Sequence, residues 1–168
     1  MRITIIGNSG SGKSTLAGRL AADSGTVVLD LDTIAWEPGK IAVPRGADEA
    51  WTDVRKFCAS NEHWIVEGCY ASLAEASLSF EPNLLVLDPG LDQCTANCRA
   101  RPWEPHKYSS KVEQDKHLSF LLAWVEEYYS RDDDMSLAVH RAVYDRYDGP
   151  KQWLSALTDP LRHVDETK

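Results

Sequence analysis

The chain of 168 residues is long enough for one domain with a substantial core. Hydrophobic residues make up 43% and charged residues 26% of the sequence, which is typical of globular proteins and not of disordered ones. The formal net charge of −8 argues against direct binding to nucleic acid or to an anionic membrane surface, because both require basic surface. Apolar runs are too short to span a bilayer, and Met1-Arg2-Ile3 leads directly into a predicted strand instead of a signal peptide. We therefore expect a single cytoplasmic domain over residues 1–168.

Apolar runs that alternate with helical stretches predict strands at 2–6, 26–29, 63–66 and 84–87. A weaker run at 161–164 is the candidate for a fifth strand. Three of these runs are apolar or β-branched throughout, which is typical of parallel strands covered by helices on both faces. The sequence therefore predicts a three-layer α/β fold with a five-stranded parallel sheet.

Helices are predicted at 48–60, 91–100 and 112–130. The last of these is the longest, and its apolar residues at helical spacing are expected to face the core: Leu118, Leu121, Leu122, Val125 and Tyr129. Asp133 or Asp134 is expected to cap the helix that follows, and His140 on that helix is interpreted as a surface or core histidine.

The most specific motif follows the first strand. The segment Gly7-Asn8-Ser9-Gly10-Ser11-Gly12-Lys13-Ser14-Thr15, which we call the phosphate loop, fits G-x-x-x-x-G-K-[ST] between a strand and a helix. Glycine allows successive N–H groups to turn toward a phosphate chain, and the helix N-terminus adds partial positive charge. The motif predicts nucleotide phosphates bound by Gly7, Ser9, Gly10, Ser11, Gly12, Lys13, Ser14 and Thr15, with Lys13 on the β/γ-phosphates and Ser14 on Mg²⁺.

Acidic residues follow several of the predicted strands, and the carboxyl ends of parallel strands share one edge of a sheet. Asp30 and Asp32 could hold hydrated Mg²⁺ or orient and deprotonate an acceptor hydroxyl, or they could solvate a loop. Glu67 could bind magnesium through water, and Gly68 after it would allow close backbone approach to a ligand. Asp88 precedes Pro89-Gly90, which favours a structural turn.

Two further features leave alternatives open. Arg55 lies beside the apolar stripe of the helix predicted at 48–60, where it could meet an anionic acceptor or lie on the surface. The four cysteines contain no C-x-x-C pair. Cys94 and Cys98 share one helix face and are expected to be buried, reduced thiols, although a metal site that includes His106 is conceivable.

Three segments carry a resemblance to a known family: residues 5–16, Leu31-Asp32-Thr33-Ile34-Ala35-Trp36-Glu37-Pro38-Gly39, and Trp64-Ile65-Val66-Glu67-Gly68-Cys69-Tyr70. Through them the chain resembles small P-loop kinases of the adenylate kinase/shikimate kinase fold, most closely the FlaR-like proteins labelled DNA topology modulation kinases. The resemblance covers about the first half of the chain. It implies ATP and Mg²⁺ as cofactors, a strand order of 2-3-1-4-5, and Glu67 beside the phosphate loop.

In the second half, Arg131-Asp132-Asp133 followed by Arg141 resembles the R-x-D-D…R segment that flanks the lid of nucleoside monophosphate kinases. A helical lid is therefore expected at about 102–131. The resemblance implies that Arg131 and Arg141 clamp the transferring phosphoryl group, and that Arg99 and Arg101 lie near the nucleotide base. The acceptor motif T-G-D…R of nucleoside monophosphate kinases is absent after the second strand. The Asp30-x-Asp32 pair instead resembles small-molecule kinases of the shikimate type.

The expected function is an ATP-dependent phosphotransferase whose acceptor is an unidentified small molecule or nucleotide. The alternative is a nucleotide-binding ATPase or regulatory module without a small-molecule acceptor. The candidate catalytic residues are Lys13, Asp32, Arg131 and Arg141. The candidate substrate contacts are Asp30, Asp32, Arg55, Glu67, Gly68 and Tyr70, and the candidate metal ligands are Ser14, Asp32 and Glu67.

Overall fold

The computed structural model describes residues 1–22, 25–37, 43–103, 109–159 and 161. Its centre is a sheet of five strands: β1 (Arg2–Gly7), β2 (Val27–Asp30), β3 (Trp64–Gly68), β4 (Asn83–Leu87) and β5 (Lys151–Leu154). The strands lie in the order β2-β3-β1-β4-β5, and every neighbouring pair is parallel. The predicted fold class and strand order are confirmed.

Eight helices connect and flank the strands in the described residues: α1 (Lys13–Ala22), α2 (Asp32–Ala35), α3 (Ala47–Ser60), α4 (Ala71–Leu78), α5 (Leu91–Ala100), α6 (Lys111–Lys116), α7 (Leu118–Glu127) and α8 (Leu137–Arg146). None of the helices in these ranges is long and apolar enough to cross a membrane.

The core forms on both faces of the sheet because successive strand residues point to opposite sides. Ile3 and Ile5 of β1 belong to the cluster that contains Leu16 of α1. Ile6 belongs to the opposite cluster, to which α3, α4 and α8 contribute, for example through Val143. Burying an aliphatic side chain of this size stabilises a fold by about 1.5–3 kcal/mol. The two clusters therefore fix the sheet between its helix layers and hold the carboxyl ends of the strands in place.

The fifth strand differs in position from the prediction. It lies at 151–154 and not at 161–164; Leu161 is not in a strand, and residues 162–164 lie outside the described part of the chain. Among the described residues this strand pairs with β4 alone, so it forms one edge of the sheet. An edge strand tolerates polar residues such as Lys151, whose ammonium donates to the Tyr144 and Tyr147 carbonyls, so it lacks the apolar run of a central strand.

The single helix predicted at 112–130 is divided in two at His117, and it ends at Glu127. Val125 is fully buried against Cys94 and Cys98, as the apolar stripe predicts. Tyr129 is not a core residue, because it is 37% exposed, and its neighbour Tyr128 takes the buried position. The early helix end turns the chain and brings Tyr128 inward.

The expected capping of α8 by Asp133 or Asp134 is also wrong. Ser136 is the N-cap residue, and its hydroxyl accepts from the Val139 N–H at 3.2 Å. Asp134 instead holds the start of α4: its carbonyl accepts from Ala71 N–H, and its carboxylate accepts from the N–H and hydroxyl of Ser72. A carboxylate at this position satisfies N–H groups that have no partner within the helix. The turn before α8 is thereby attached to the end of the β3–α4 segment.

Replacement of Gly68 by alanine tests the packing of the strand ends. A Cβ at Gly68 would lie 2.7 Å from Leu31 Cβ, which must shift to admit it. We expect Gly68→Ala to lower the free energy of unfolding by about 1–3 kcal/mol in urea denaturation.

Gly18→Ala is the matched control, because a Cβ at Gly18 in α1 would meet nothing within 4 Å. Helix propensity should raise the stability of this variant by about 0.5–1 kcal/mol. Equal stability of the two variants would contradict the packing argument.

Candidate active site

The phosphate loop is packed so closely that its glycines have no room for side chains. Gly10 has φ +76°, and a Cβ there would lie 2.4 Å from the Cys94 carbonyl oxygen and 2.7 Å from Cys98 Sγ. A Cβ at Gly7, which has φ +157°, would lie 2.3 Å from the Leu87 carbonyl oxygen. Both the backbone conformation and the space therefore demand glycine. The loop lies directly on β4 and α5.

Two asparagines, one in the loop and one on α5, connect the loop to neighbouring helices. Asn8 Nδ2 donates to the Val125 carbonyl of α7 at 2.8 Å, and Asn8 Oδ1 accepts from Ser9 N–H. Asn97 of α5 donates to the Gly10 carbonyl at 2.8 Å. Sequence reasoning missed Asn97 and the part played by α7. Both contacts go to backbone carbonyls, which every residue has, so the amino-acid sequence does not show where such acceptors lie.

Lys13 and the start of α1 make the loop suited to an anion. Lys13 is 9% exposed, and its ammonium donates to the Asn8 carbonyl at 2.8 Å across the loop. Since α1 begins at Lys13, the N–H groups of its first turn have no intrahelical partners. Ser11 Oγ is buried without a hydrogen-bond partner among the described residues. A bound phosphate chain would satisfy such donors and meet the positive end of the helix.

Glu67 lies beside the loop because β3 is the neighbour of β1. Its carboxylate accepts from the Ser14 hydroxyl at 2.6 Å, and its side chain is almost fully buried. Burial raises the pKa of Glu67, against the opposing effects of Lys13 and the Ser14 hydrogen bond. A hydroxyl and a carboxylate in contact are hard oxygen donors of the kind that Mg²⁺ takes in nucleotide sites. The pair therefore fits the metal that the motif implies.

Asp32 lies on the same rim and is held by an aromatic pair. Its Oδ1 accepts from the Tyr70 hydroxyl at 2.8 Å, and the Tyr70 oxygen accepts from Trp36 Nε1 at 3.0 Å. Burial and the Asp32 carboxylate raise the pKa of Tyr70 far above its ordinary value. Asp30 precedes this group, and its Oδ1 accepts from the Asp32 N–H at 2.9 Å. The structure thus brings Asp30, Asp32 and Tyr70 together, and it adds Trp36, which lies in the long connection after β2.

Gly68 has a packing role in the structure. The position where its Cβ would lie is occupied by Leu31, whose own N–H donates to the Glu67 carbonyl at 2.9 Å. The glycine thus allows β3 and the chain after β2 to approach each other. This close approach brings Asp30 and Asp32 within electrostatic range of Glu67.

Arg131 lies near this rim, but its guanidinium is engaged by the protein. It donates to the Trp124 and Met135 carbonyls and stacks on the Trp124 ring at 3.7 Å. Its Nε lies 3.2 Å from Asp133 Oδ1 but is not aligned for a hydrogen bond. Contact with a nucleotide would require the side chain to exchange these partners.

The contacts described for the other predicted arginines differ from one residue to the next. Arg55 donates to Ser79 Oγ and stacks on Trp51 and Phe80, at the end of the sheet where the strands begin. Arg141 stacks on Trp153 of the edge strand at 4.0 Å. Arg99 and Arg101 line a small cavity of about 20 Å³ between α5 and α6. Arg55 therefore has no place in the site that we propose below.

A buried histidine joins three segments behind the rim. His140 Nε2 donates to the Cys69 carbonyl at 2.9 Å, so in the neutral ring Nδ1 accepts from the Tyr128 hydroxyl at 2.9 Å. Burial lowers the pKa of His140 to about 4. The core interpretation of His140 is confirmed, and its two hydrogen bonds tie α8 to α7 and to the end of β3.

No protein-family model and no curated protein matches the chain. Among solved structures, a sugar kinase from Janibacter sp. HTCC2649 is similar at 17% identity and a TM-score of 0.51, covering 94% of this chain and 86% of that one. A gluconokinase from Sinorhizobium meliloti 1021 is similar at 17% identity and a TM-score of 0.52, covering 95% of this chain and 83% of that one. The chain has the fold of the P-loop kinases. In this fold the loop, Glu67 and Asp32 lie on one rim, as described above.

The buried ring of His140 predicts a specific pH dependence of stability. The pKa of His140 is lowered in the folded protein. On acidification, the imidazole is therefore protonated in the unfolded chain at a higher pH than in the folded protein. The free energy of unfolding should fall between about pH 6.5 and pH 4, by up to about 1.4 kcal/mol per pH unit from this residue. His140→Gln keeps a donor and an acceptor but does not titrate. Its free energy of unfolding, measured by urea denaturation at several pH values, should therefore fall less steeply with decreasing pH.

His117→Gln is the control, since His117 lies between α6 and α7 with its side chain 57% exposed. In this variant the free energy of unfolding should depend on pH as it does in the unchanged protein. If the free energy of unfolding of His140→Gln depends on pH as steeply as that of the unchanged protein, the imidazole of His140 is not kept neutral by the fold.

Proposed function

We propose that this protein is an ATP-dependent phosphotransferase that moves the γ-phosphoryl group of Mg-ATP to a hydroxyl of a small molecule. The observation that carries the proposal is the 2.6 Å contact between Ser14 and Glu67 beside Lys13, on a rim shared with Asp32. A bare nucleotide site needs only the loop and the metal ligands. The additional carboxylate, held in a fixed orientation by Tyr70, supports an acceptor site.

The residues of the loop bind and orient the phosphate chain in this proposal. N–H groups at the start of α1 and the Lys13 ammonium surround the β- and γ-phosphates, where charge shifts as the phosphoryl group leaves. Ser14 and Glu67 would hold Mg²⁺, which when bound neutralises charge on the β- and γ-phosphate oxygens. Arg99 and Arg101 stay candidates for contact with the nucleotide base.

Asp32 is the candidate for positioning and deprotonating the acceptor hydroxyl. Because Tyr70 donates to Oδ1, the carboxylate is fixed relative to the end of β3. A carboxylate held in this way can orient a hydroxyl in line with the phosphoryl group and accept its proton during transfer. We also propose that Arg131 releases the Trp124 and Met135 carbonyls to reach the transferring group, and that Arg141 leaves the Trp153 ring to do the same.

The fold shared with a sugar kinase and a gluconokinase supports a small-molecule acceptor. The closer kinship with FlaR-like proteins rests on the three sequence segments alone and stays part of this proposal. Two other activities are outcomes of the test: ATP hydrolysis without an acceptor, and transfer to a nucleoside monophosphate.

Transfer from labelled ATP to a panel of sugars, polyols, nucleosides and nucleoside monophosphates tests the function. Any transfer found should fall by roughly a hundredfold or more in Lys13→Ala, because the variant lacks the ammonium that meets the phosphate charge. Lys56→Ala is the matched control, since Lys56 is an exposed lysine that pairs with Asp53 on α3. It should transfer at the unchanged rate.

Lys13-dependent ATP hydrolysis that no acceptor accelerates would favour the regulatory ATPase and contradict the phosphotransferase. Phosphoryl transfer that persists at the same rate in Lys13→Ala would show that the phosphate loop takes no part in the reaction. Acceleration by nucleoside monophosphates alone would identify a nucleotide kinase.

A further inference from the structure

We propose that Asn8 is a positioning residue: through the carboxyl end of α7, it determines where Arg131 lies relative to the phosphate loop. The inference rests on the proposed function through one element, the contact of Arg131 with the phosphate chain. It gives Asn8 a role beyond the shape of the loop, and in this role Asn8 acts through α7 and not by touching the transferred group. The amide of Asn8 is bonded to α7 and to the next residue of the loop.

Asn8 joins several parts of the phosphate loop to one another. Its backbone carbonyl accepts from the Lys13 ammonium at 2.8 Å and from the Ser11 N–H at 3.2 Å. Its side-chain Oδ1 accepts from the Ser9 N–H at 2.8 Å, and its Nδ2 donates out of the loop to the Val125 carbonyl at 2.8 Å. The residue is 1% exposed. A buried amide whose nitrogen and oxygen are both bonded is held in one orientation, so Asn8 connects the lysine of the loop to α7.

The bond from Asn8 reaches the last turn of α7. This helix ends at Glu127, and the last four carbonyls of a helix lack partners of the regular helical pattern. Asn8 supplies a donor to the Val125 carbonyl. The Arg131 guanidinium supplies a donor to the carbonyl of the preceding residue, Trp124, at 3.1 Å. Asn8 and Arg131 therefore cap consecutive carbonyls at the same end of one helix.

Both the main chain and the side chain of Arg131 are attached to this helix end. The Arg131 N–H donates to the Glu127 carbonyl at 2.8 Å, and the guanidinium stacks on the Trp124 ring at 3.7 Å. The position of α7 therefore determines the position from which Arg131 reaches a phosphate chain. A displacement of about 1 Å at a catalytic group can cost on the order of a hundredfold in rate.

The hydrogen bond from Asn8 restrains α7 in a way that its apolar contacts do not. The side chain of Val125 packs on Cys94 and Cys98 of α5. Apolar packing has no preferred direction, whereas a hydrogen bond weakens steeply when its angle changes. The contact with Asn8 therefore fixes the end of α7 relative to the loop, while the thiols bury its side.

Asn97 offers a comparison within the same loop. Its amide also donates to a backbone carbonyl at 2.8 Å, that of Gly10, but Asn97 belongs to α5. The contacts described for Arg131 are with α7 and with the turn before α8. Loss of the Asn97 amide should therefore disturb the loop without changing where Arg131 lies.

Nucleotide binding to the full chain tests the proposal without requiring turnover. The readout is the γ-phosphate preference, defined as the Kd of Mg-ADP divided by the Kd of a non-hydrolysable Mg-ATP analogue, measured by titration calorimetry. Arg131→Gln should lower this preference by roughly tenfold, because charged hydrogen bonds to the γ-phosphate are lost. Asn8→Ala should lower it by about threefold or more in the unchanged protein, but should have no further effect in Arg131→Gln.

Asn97→Ala is the matched control. Any effect of this variant on the γ-phosphate preference should be equal in the unchanged protein and in Arg131→Gln, since its contact with Gly10 does not pass through α7. A purely structural role of Asn8 in the loop predicts the same independence for Asn8→Ala. An equal effect of Asn8→Ala in the two backgrounds would therefore overturn the proposal.

Unchanged γ-phosphate preference in Arg131→Gln would also overturn the inference, while Lys13-dependent transfer would still support the phosphotransferase. Failure of every acceptor would contradict the phosphotransferase but would not affect these measurements, which involve no transfer. Urea denaturation shows whether each variant folds. If Asn8→Ala does not fold, Asn8→Ser takes its place in the same comparison, because its hydroxyl ends one bond earlier than the amide nitrogen and loses the bond to the Val125 carbonyl.

Discussion

The lack of space around the phosphate loop is the constraint on which the rest of the structure depends. Carbonyl oxygens of Leu87 and Cys94 stand where side chains at Gly7 and Gly10 would begin. The loop can keep this shape only if β4 and α5 keep their positions beneath it. The order of the strands then follows as a requirement: β1 must lie between β3 and β4, so that Glu67 meets Ser14 on one side while α5 supports the loop on the other.

The rim combines rigid and exchangeable elements. Glu67 and Asp32 are fixed by hydrogen bonds from Ser14 and Tyr70, and the His140 pair stabilises the chain just beyond them. Arg131 is held by backbone carbonyls and an indole ring, contacts that a phosphate group could replace. The two carboxylates are therefore held at the end of β3 and directly after β2, whereas the Arg131 cation is carried by the turn before α8.

The central sheet and the phosphate loop could be predicted because their signals are local. Apolar runs mark β1 and β4, and the G-x-x-x-x-G-K-[ST] spacing marks the loop. The edge strand β5 was misplaced because Lys151 and Gln152 have none of the apolar character of a central strand. The break at His117 could not be predicted because residues 111–117 contain no glycine or proline that would mark a helix end, and the apolar spacing of Leu118, Leu121 and Val125 begins only after it. Trp36 joined the site only through a hydrogen bond to Tyr70, 34 positions away, which no spacing rule connects.

The two asparagines that hold the loop have different consequences for how the sequence can vary. Asn8 contacts the main chain of α7, and Asn97 supports the loop through the main chain of Gly10. Any residue at position 125 offers the same carbonyl oxygen, so the side chain at this position is constrained only by its packing against apolar neighbours in the core. The asparagines have no such latitude, since few side chains place an amide donor at that distance. The two residues of each contact therefore tolerate substitution differently. The asparagine is required for its amide donor, whereas the residue that supplies the carbonyl is restricted only by the space around it.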